Sequence, residues 1–387
     1  MMTDMEPDKF VSNVFGQVIK EPGNKWAFWH FVPTSIPRDL DLDRETVRRM
    51  SRADNSLGRL AGAGRLVKNP DVLVGPYLTR EALASSRIEG TQASLSDVLQ
   101  AQAVDDSPAD EDVAEVLNYL RAIARGIKLL DSLPMCLRLV REVHSVLMTG
   151  VRGQEKLPGQ FRKTPVWIGG ARDSLESAPF VPPLPGAELD SALKDWEAFL
   201  NEDSTLPLLV RVALMHYQFE TMHPFLDGNG RVGRLLIVLF LMHEKALSLP
   251  LLYVSAYMEE SRREYYERLQ AIRERGQIQE WLQYFFDAIH AQATDSVNRV
   301  ESLVDLREKY LHDLKGGRSR AREVVDLYFE NPFVTVKRVE RALNVTNQGA
   351  RNLIESLEQR GWLKNIGPLG RGGRVYWLAD AVFAIIS

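Results

Sequence analysis

One cysteine, Cys136, stands alone in 387 residues. An intramolecular disulfide needs two thiols and a CxxC metal site needs a close pair, so both are excluded. Long apolar runs are missing as well. The longest, 235–242, is far short of the roughly 20 residues that cross a bilayer. The first residues carry acidic groups and no apolar stretch, so no signal peptide is visible; a cytoplasmic location with no membrane association is expected. No internal repeat or low-complexity tract occurs, nor does a Walker GxxxxGK[ST], an HExxH or a GxSxG sequence. The familiar routes to phosphate binding and hydrolysis therefore lack their motifs. Neither sign of charge dominates: the formal net of −4 argues against wholesale nucleic-acid binding.

What is present is an ordinary globular composition, 45% hydrophobic and 26% charged, in a chain longer than one typical domain. Two apolar, helix-like segments, 206–221 and 235–242, flank a polar stretch: His223-Pro224-Phe225-Leu226-Asp227-Gly228-Asn229-Gly230-Arg231-Val232-Gly233-Arg234. Gly228 and Gly230 open backbone conformations closed to other residues and let a ligand approach the main chain. Successive N–H groups at the start of the following helix, those of Gly228, Asn229 and Gly230, form a concave anion site aided by the helix dipole. Arg231 and Arg234 share a helix face and suit phosphate oxygens. Asp227 is a hard oxygen ligand for Mg²⁺ held jointly with phosphates. His223 has an unperturbed pKa near neutrality, as a general base needs. Together these residues read as a nucleotide-phosphate site with a base at its edge.

The pattern His-x-Phe-x-Asp-Gly-Asn-Gly-Arg-x-x-Arg resembles the signature of the Fic family of protein adenylyltransferases, and every signature position is filled. The resemblance implies transfer of AMP from ATP, with Mg²⁺, to a Tyr, Thr or Ser hydroxyl of a protein, itself included. Upstream, Ser85-x-x-x-Glu89-Gly90 matches the inhibitory motif that one class of Fic proteins carries before the core. In that class the glutamate pairs with the second signature arginine, so the resemblance implies Glu89 restraining Arg234. The run Thr164-Pro165-Val166-Trp167-Ile168-Gly169-Gly170 reads as a strand with a turn. It resembles the flap that holds a target segment as an added strand, with Trp167 and Ile168 as its contact residues. The segment opening at Tyr253 resembles the part of the core bordering the adenine pocket, which makes Tyr257 and Ser261 candidate base contacts.

Helical periodicity covers 78–90, with Thr79 as N-cap, then 114–130, 136–148, 188–201, 232–245 and 280–314. His144 falls among apolar positions and is expected to be a hydrogen-bonded core histidine. The strand at 164–170 is the one clear β signal before the C-terminus, and Trp26, Phe28, Trp29 and Phe31 read as a packing wedge. Beyond Gly316-Gly317 come helices at 324–329, 336–343 and 347–360, the last capped by Thr346, then strands at 361–366 and 374–378 around a basic tip. This order resembles a winged helix-turn-helix, which would present Asn347, Gln348 and Arg351 to DNA. From Arg318 onward eleven Lys/Arg face seven Asp/Glu, a net of +4 against −8 for the rest. Winged helices also serve as protein-interaction or dimerisation modules, so a homodimer stays open.

The expected fold is mainly α. It comprises an N-terminal region, 1–110, with the inhibitory helix 78–90; a Fic-type helical core with a small β-hairpin flap, 111–290; a helical linker, 291–317; and a winged helix, 318–387. The expected function is that of an autoinhibited protein adenylyltransferase. A de-AMPylating enzyme, or a DNA-binding regulator whose core senses nucleotide or modifies itself, are the alternatives.

Overall fold

Two strands form near the N-terminus, the second of them where the sequence showed an aromatic cluster. In the computed structural model, which describes residues 5–21, 28–66, 71–104, 110–169, 178–315, 320–369 and 373–387, Gly16–Lys20 (β1) and Trp29–Pro33 (β2) pair antiparallel, Gly16 opposite Pro33 and Lys20 opposite Trp29. The Phe31 ring lies across Gly16, where a Cβ has no room. Phe31 is buried with Phe180 and Val181, and Phe28 and Trp29 pack at the edge of the same cluster. Trp26 lies outside the described residues. The expectation of a single β segment before the C-terminus is thus corrected. A two-stranded pairing is set by long-range packing of Phe31, which local alternation does not reveal.

Helices follow: α1 (Arg44–Leu66), α2 (Asp71–Ile88), α3 (Leu95–Gln102), α4 (Glu111–Leu130), α5 (Leu137–Met148), α6 (Ala187–Asn201), α7 (Leu208–Met222), α8 (Asn229–His243), α9 (Ser255–Glu260), α10 (Arg262–Arg275) and α11 (Ile278–Asp313). The C-terminal elements are α12 (Ala321–Glu330), β3 (Phe333–Val334), α13 (Val336–Leu343), α14 (Asn347–Glu358), β4 (Lys364–Leu369), β5 (Arg374–Leu378) and α15 (Asp380–Ile386). The fold is mainly helical, as expected. No described helix is long and apolar enough to cross a membrane.

By compactness the chain forms two units. One comprises Met1–Asn55, Arg121–Lys245 and Tyr257–His290; the other comprises Ser56–Leu120, Ala246–Ala256 and Ala291–Ser387. In the first, α7 and α8 are buried on all faces and form its centre, from Leu209 to Met222 in α7 and from Arg231 to Leu241 in α8. Helices α5, α6 and strand β2 pack against this pair. Two tryptophans fasten α7 through its carbonyls: the indole N–H of Trp196 donates to Met215 O at 3.0 Å and that of Trp281 to Ala213 O at 3.1 Å.

In the second unit α2 packs on α12 and on α3. Thr79, expected as an N-cap, lies inside α2 instead and its hydroxyl donates to Gly75 O at 2.9 Å. Pro76 also lies within the helix. At the C-terminus β3, β5 and β4 form a three-stranded antiparallel sheet in that order, and α13 packs on α14. Thr346 caps α14, its hydroxyl accepting from Gly349 N–H, and Asn344 makes the turn before it in a left-handed conformation, φ 49°. Strand β3 and helix α15 add to the three helices and hairpin read from the sequence; the basic tip, Arg371 included, lies outside the described residues.

Candidate active site

Helix α7 ends because His223 takes a left-handed backbone, φ 45°, while its N–H still bonds Phe219 O at 3.0 Å. A non-glycine residue at positive φ is uncommon and is held only by its surroundings. Pro224 then turns the chain, and Phe225 is buried face to face on His144, ring centroids 3.7 Å apart and planes 2° from parallel. Asn229 closes the turn from the other side: its side-chain oxygen accepts from Phe225 N–H at 2.8 Å and its amide donates to Phe225 O at 2.9 Å.

Gly228 is the residue that makes this loop possible. It has φ 75°, and a Cβ there would come within 2.8 Å of Met148 Sδ. Only glycine meets both demands. Gly230, grouped with it in the sequence, sits in the first turn of α8 with helical backbone, so it does not use that freedom.

The structure brings Asp227, Gly228, Asn229, Gly230, Arg231 and Arg234 together at one helix start. The main chain of α8 begins at Asn229, leaving the first-turn N–H groups of Asn229, Gly230 and Arg231 directed out of the helix by its geometry. The Gly228 N–H, expected to face phosphate, instead donates to Asp227 Oδ1 at 2.6 Å. Asp227 is half-exposed, and Arg231, itself buried, reaches its carboxylate at 3.7 Å and Met148 Sδ at 3.5 Å. Arg234 is 1% exposed within α8. Two guanidinium groups are thus buried within the first two turns of the helix, near its positive end.

His144 was expected to be structural, and its role is to hold this loop. The Gly159 N–H donates to Nδ1 at 2.8 Å, so the ring proton is on Nε2, which donates to Asp227 O at 3.0 Å. Burial pushes its pKa down to about 4, with the Asp227 carbonyl opposing and the Arg231 charge reinforcing the shift. Arg162, also buried, is bonded to the carbonyl of His223 at 2.8 Å. Neither role has a local sequence signal, because each partner lies far along the chain.

The flap is smaller than expected. Among the described residues 164–169 form no strand; Ile168 makes one antiparallel bridge with Phe180, its N–H donating to Phe180 O at 2.9 Å. Gly170 and the residues to 177 lie outside the described set. Trp167 and Ile168 are half-buried against the Phe31–Phe180 cluster, and the Arg273 guanidinium lies 4.0 Å over the Phe180 ring. Tyr257 and Ser261 do come together. The Ser261 hydroxyl donates to Tyr257 O at 2.6 Å and lies 2.8 Å from the Tyr284 hydroxyl, whose ring packs edge-on to Tyr257. Tyr257 and Tyr284 border a small polar depression with Arg49, Arg268 and Asp287.

In the other unit Ser85 is fully buried on α2, and Glu89 follows the end of that helix, exposed, its N–H bonded to Ser86 O at 3.0 Å. Asn347, Gln348 and Arg351 lie exposed on the first turns of α14, with Arg351 Nε donating to Asn347 Oδ1 at 3.0 Å.

Comparison with known proteins settles the lineage of this loop. Residues 134–241 match the Fic/DOC family, and residues 47–128 match the Fic/DOC family N-terminal region. The chain is a Fic-domain protein. It is 32% identical to a protein adenylyltransferase Fic of Drosophila grimshawi over 161 residues, which cover 40% of this chain and 31% of that protein. A protein of the same name in Drosophila melanogaster is 30% identical over 161 residues, 40% of this chain and 30% of the relative. The Fic-domain chain thus spans about a third of the length of these curated relatives. The crystal structure of a Fic family protein from Desulfovibrio desulfuricans G20 superposes with a TM-score of 0.57 at 19% identity, covering 88% of this chain and 98% of that one. That likeness carries the Fic fold.

Among the described residues no group of three or more His, Cys, Asp or Glu is arranged to hold a metal. One half-exposed carboxylate, Asp227, beside an anion site suits Mg²⁺ bound mainly through nucleotide phosphates, since that ion rarely occupies an all-protein cage.

Proposed function

We propose that this chain transfers AMP from ATP to a Tyr, Thr or Ser hydroxyl of a protein, itself among them. The observation that carries the reading is the start of α8. There a left-handed Gly228, backed by Met148 and His144, starts the helix between Asp227 and the buried Arg231 and Arg234. The name of the Drosophila relatives points to the same reaction.

In this reading the acceptor hydroxyl loses its proton to His223 as its oxygen forms a bond to the α-phosphorus. The bond from that phosphorus to the bridging oxygen breaks, and pyrophosphate leaves. The amides of Asn229 and Gly230 orient the phosphates, and Arg231 and Arg234 stabilise charge on the leaving group. Mg²⁺, held by Asp227 with the phosphates, would neutralise the same charge. Trp167 and Ile168 would pair with the target segment, and Tyr257 with Ser261 would meet the adenine.

We further propose that Glu89 restrains the enzyme by competing for Arg234, with Ser85 fixing the helix that carries it. A site poised this way is a two-state balance. Intact-mass spectrometry of Glu89→Gly with ATP and Mg²⁺ tests both claims. A mass gain of one AMP is expected in this variant, little in the parent and none after adding His223→Ala. Unmodified Glu89→Gly protein would refute the transfer reading, and equal labelling of parent and variant would refute the restraint.

A second reading adds DNA recognition. Exposed Asn347, Gln348 and Arg351 share the first turns of α14, and the residues from Arg318 onward carry a net +4. This fits a winged helix-turn-helix that brings the Fic core to a DNA site.

A further inference from the structure

Arg162 is 3% exposed, and its guanidinium is surrounded by main-chain oxygens. Nε donates to His223 O at 2.8 Å; Nη2 donates to Pro183 O at 2.6 Å and to Met222 O at 3.2 Å; Nη1 reaches Thr164 O at 3.4 Å. Its own backbone N–H donates to Pro224 O at 2.9 Å. Burial, with no charged partner among the described residues opposing it, lowers its pKa to about 10.

A buried cation without a counter-ion is expensive, so four carbonyls must supply the compensating negative potential. Two of them, from Met222 and His223, end helix α7, where the helix dipole is negative. Arg162 thus caps α7 at the residue whose left-handed backbone places the His223 imidazole. The other two come from the segments on either side of the Ile168–Phe180 bridge: Thr164 precedes the first arm, and Pro183 follows the second.

We propose that Arg162 is a positioning residue for the transfer reaction. It holds His223 in its turn and ties that turn to both arms of the segment that receives the target, so one side chain registers the base against the acceptor hydroxyl. The inference rests on the adenylyltransferase reading of the site and extends it to target positioning. The planar fork of arginine is essential here, because the point charge of lysine cannot span four carbonyls.

The test uses the full-length chain with Glu89→Gly as the parent, comparing Arg162→Lys, Arg162→Ala and His223→Ala. Transfer of AMP, affinity for a fluorescent ATP analogue, melting temperature and the pH dependence of kcat are measured for each. For Arg162→Lys, kcat is expected to fall by roughly 10²-fold, the cost of an ångström-scale misplacement. Nucleotide affinity and melting temperature should stay near those of the parent, while the acidic limb of the kcat profile moves. Added methylguanidinium should partly restore transfer in Arg162→Ala without changing nucleotide affinity. An unchanged kcat in Arg162→Lys overturns the proposal. So does a joint loss of melting temperature and nucleotide affinity in both Arg162 variants, which would make Arg162 a folding residue only. A parent that transfers no AMP, or a His223→Ala variant that still does, sinks the underlying reading and the proposal with it; that outcome is distinct from an active, His223-dependent parent indifferent to Arg162.

Discussion

His144 holds the signature loop as a neutral ring: burial disfavours its charge, and one main-chain contact fixes its tautomer. Because the Gly159 N–H can only donate, Nδ1 must accept, and a protonated ring would lose that bond while placing charge beside Arg231. His216, buried within α7, is held to about 3 by desolvation, with a Gly233 backbone bond opposing and the Arg234 charge adding. For both, the folded pKa lies below the unfolded value, so the unfolded chain binds more protons as pH falls. Their contribution to stability is therefore complete above about pH 6.5 and lost as pH drops, towards 4 for His144 and towards 3 for His216. For His144 the full loss is on the order of 3 kcal/mol. Melting followed between pH 7 and 4.5 should show this decline, and His144→Gln should flatten part of it. A slope identical in variant and parent would show that His144 is protonated in the fold. At this scale the signature residues were legible because their types carry chemistry: a base, a carboxylate, glycines and arginines within twelve positions. Arg162 was not, because its partners are carbonyls, which every residue possesses.

The element that extends furthest beyond its sequence reading is α2. It begins at Asp71, well before Thr79, because burial of Tyr77, Ala82, Leu83 and Ile88 outweighs the cost of Pro76. It also carries an unforeseen contact. Glu81, 2% exposed, accepts from Tyr119 OH at 3.1 Å and from Ser255 N–H at 3.1 Å, and the Ser255 hydroxyl donates to it as well. A buried carboxylate thus caps α9 at Ser255, where negative charge meets the positive end of the helix. Next to it Arg80 lies 4.9 Å over the Tyr253 ring. Glu81→Ala should destabilise the fold by about 2–3 kcal/mol, since it orphans three donors around one buried site. Urea unfolding measures this, and a midpoint unchanged from the parent would mean that water replaces the carboxylate at no cost. The sequence showed Glu81 only as one more helical glutamate. Its burial depends on residues 119 and 255.

At the scale of the whole chain, packing groups the C-terminal elements with residues distant in sequence. The C-terminal elements cluster with residues 56–120 and 291–313, through α12 on α2 and through the Asn331 side-chain amide, which donates to Leu99 O at 2.7 Å. Glycine pairs such as Gly316-Gly317 suggest a break in the chain, but packing of apolar faces decides what forms a unit. If the second reading of function holds, the full-length chain should shift a DNA fragment with an affinity that falls steeply between 50 and 200 mM salt, as counterion release requires. Arg351→Ala should weaken specific binding by about 1–3 kcal/mol. Equal binding by Arg351→Ala, or no binding at low salt, would remove α14 from nucleic-acid recognition.

Sequence alone determined the mainly helical class, the Fic signature from His223 to Arg234 and the chemistry those residue types can perform. Side-chain types and the period of apolar positions are local properties, written into every window of the chain. Tertiary structure decided the rest: the β1–β2 pairing behind the flap, the neutral tautomer of His144, the single bridge in place of a flap strand, and the carbonyl cradle of Arg162. Each depends on groups brought together across long sequence separations, where only packing and burial select the partner.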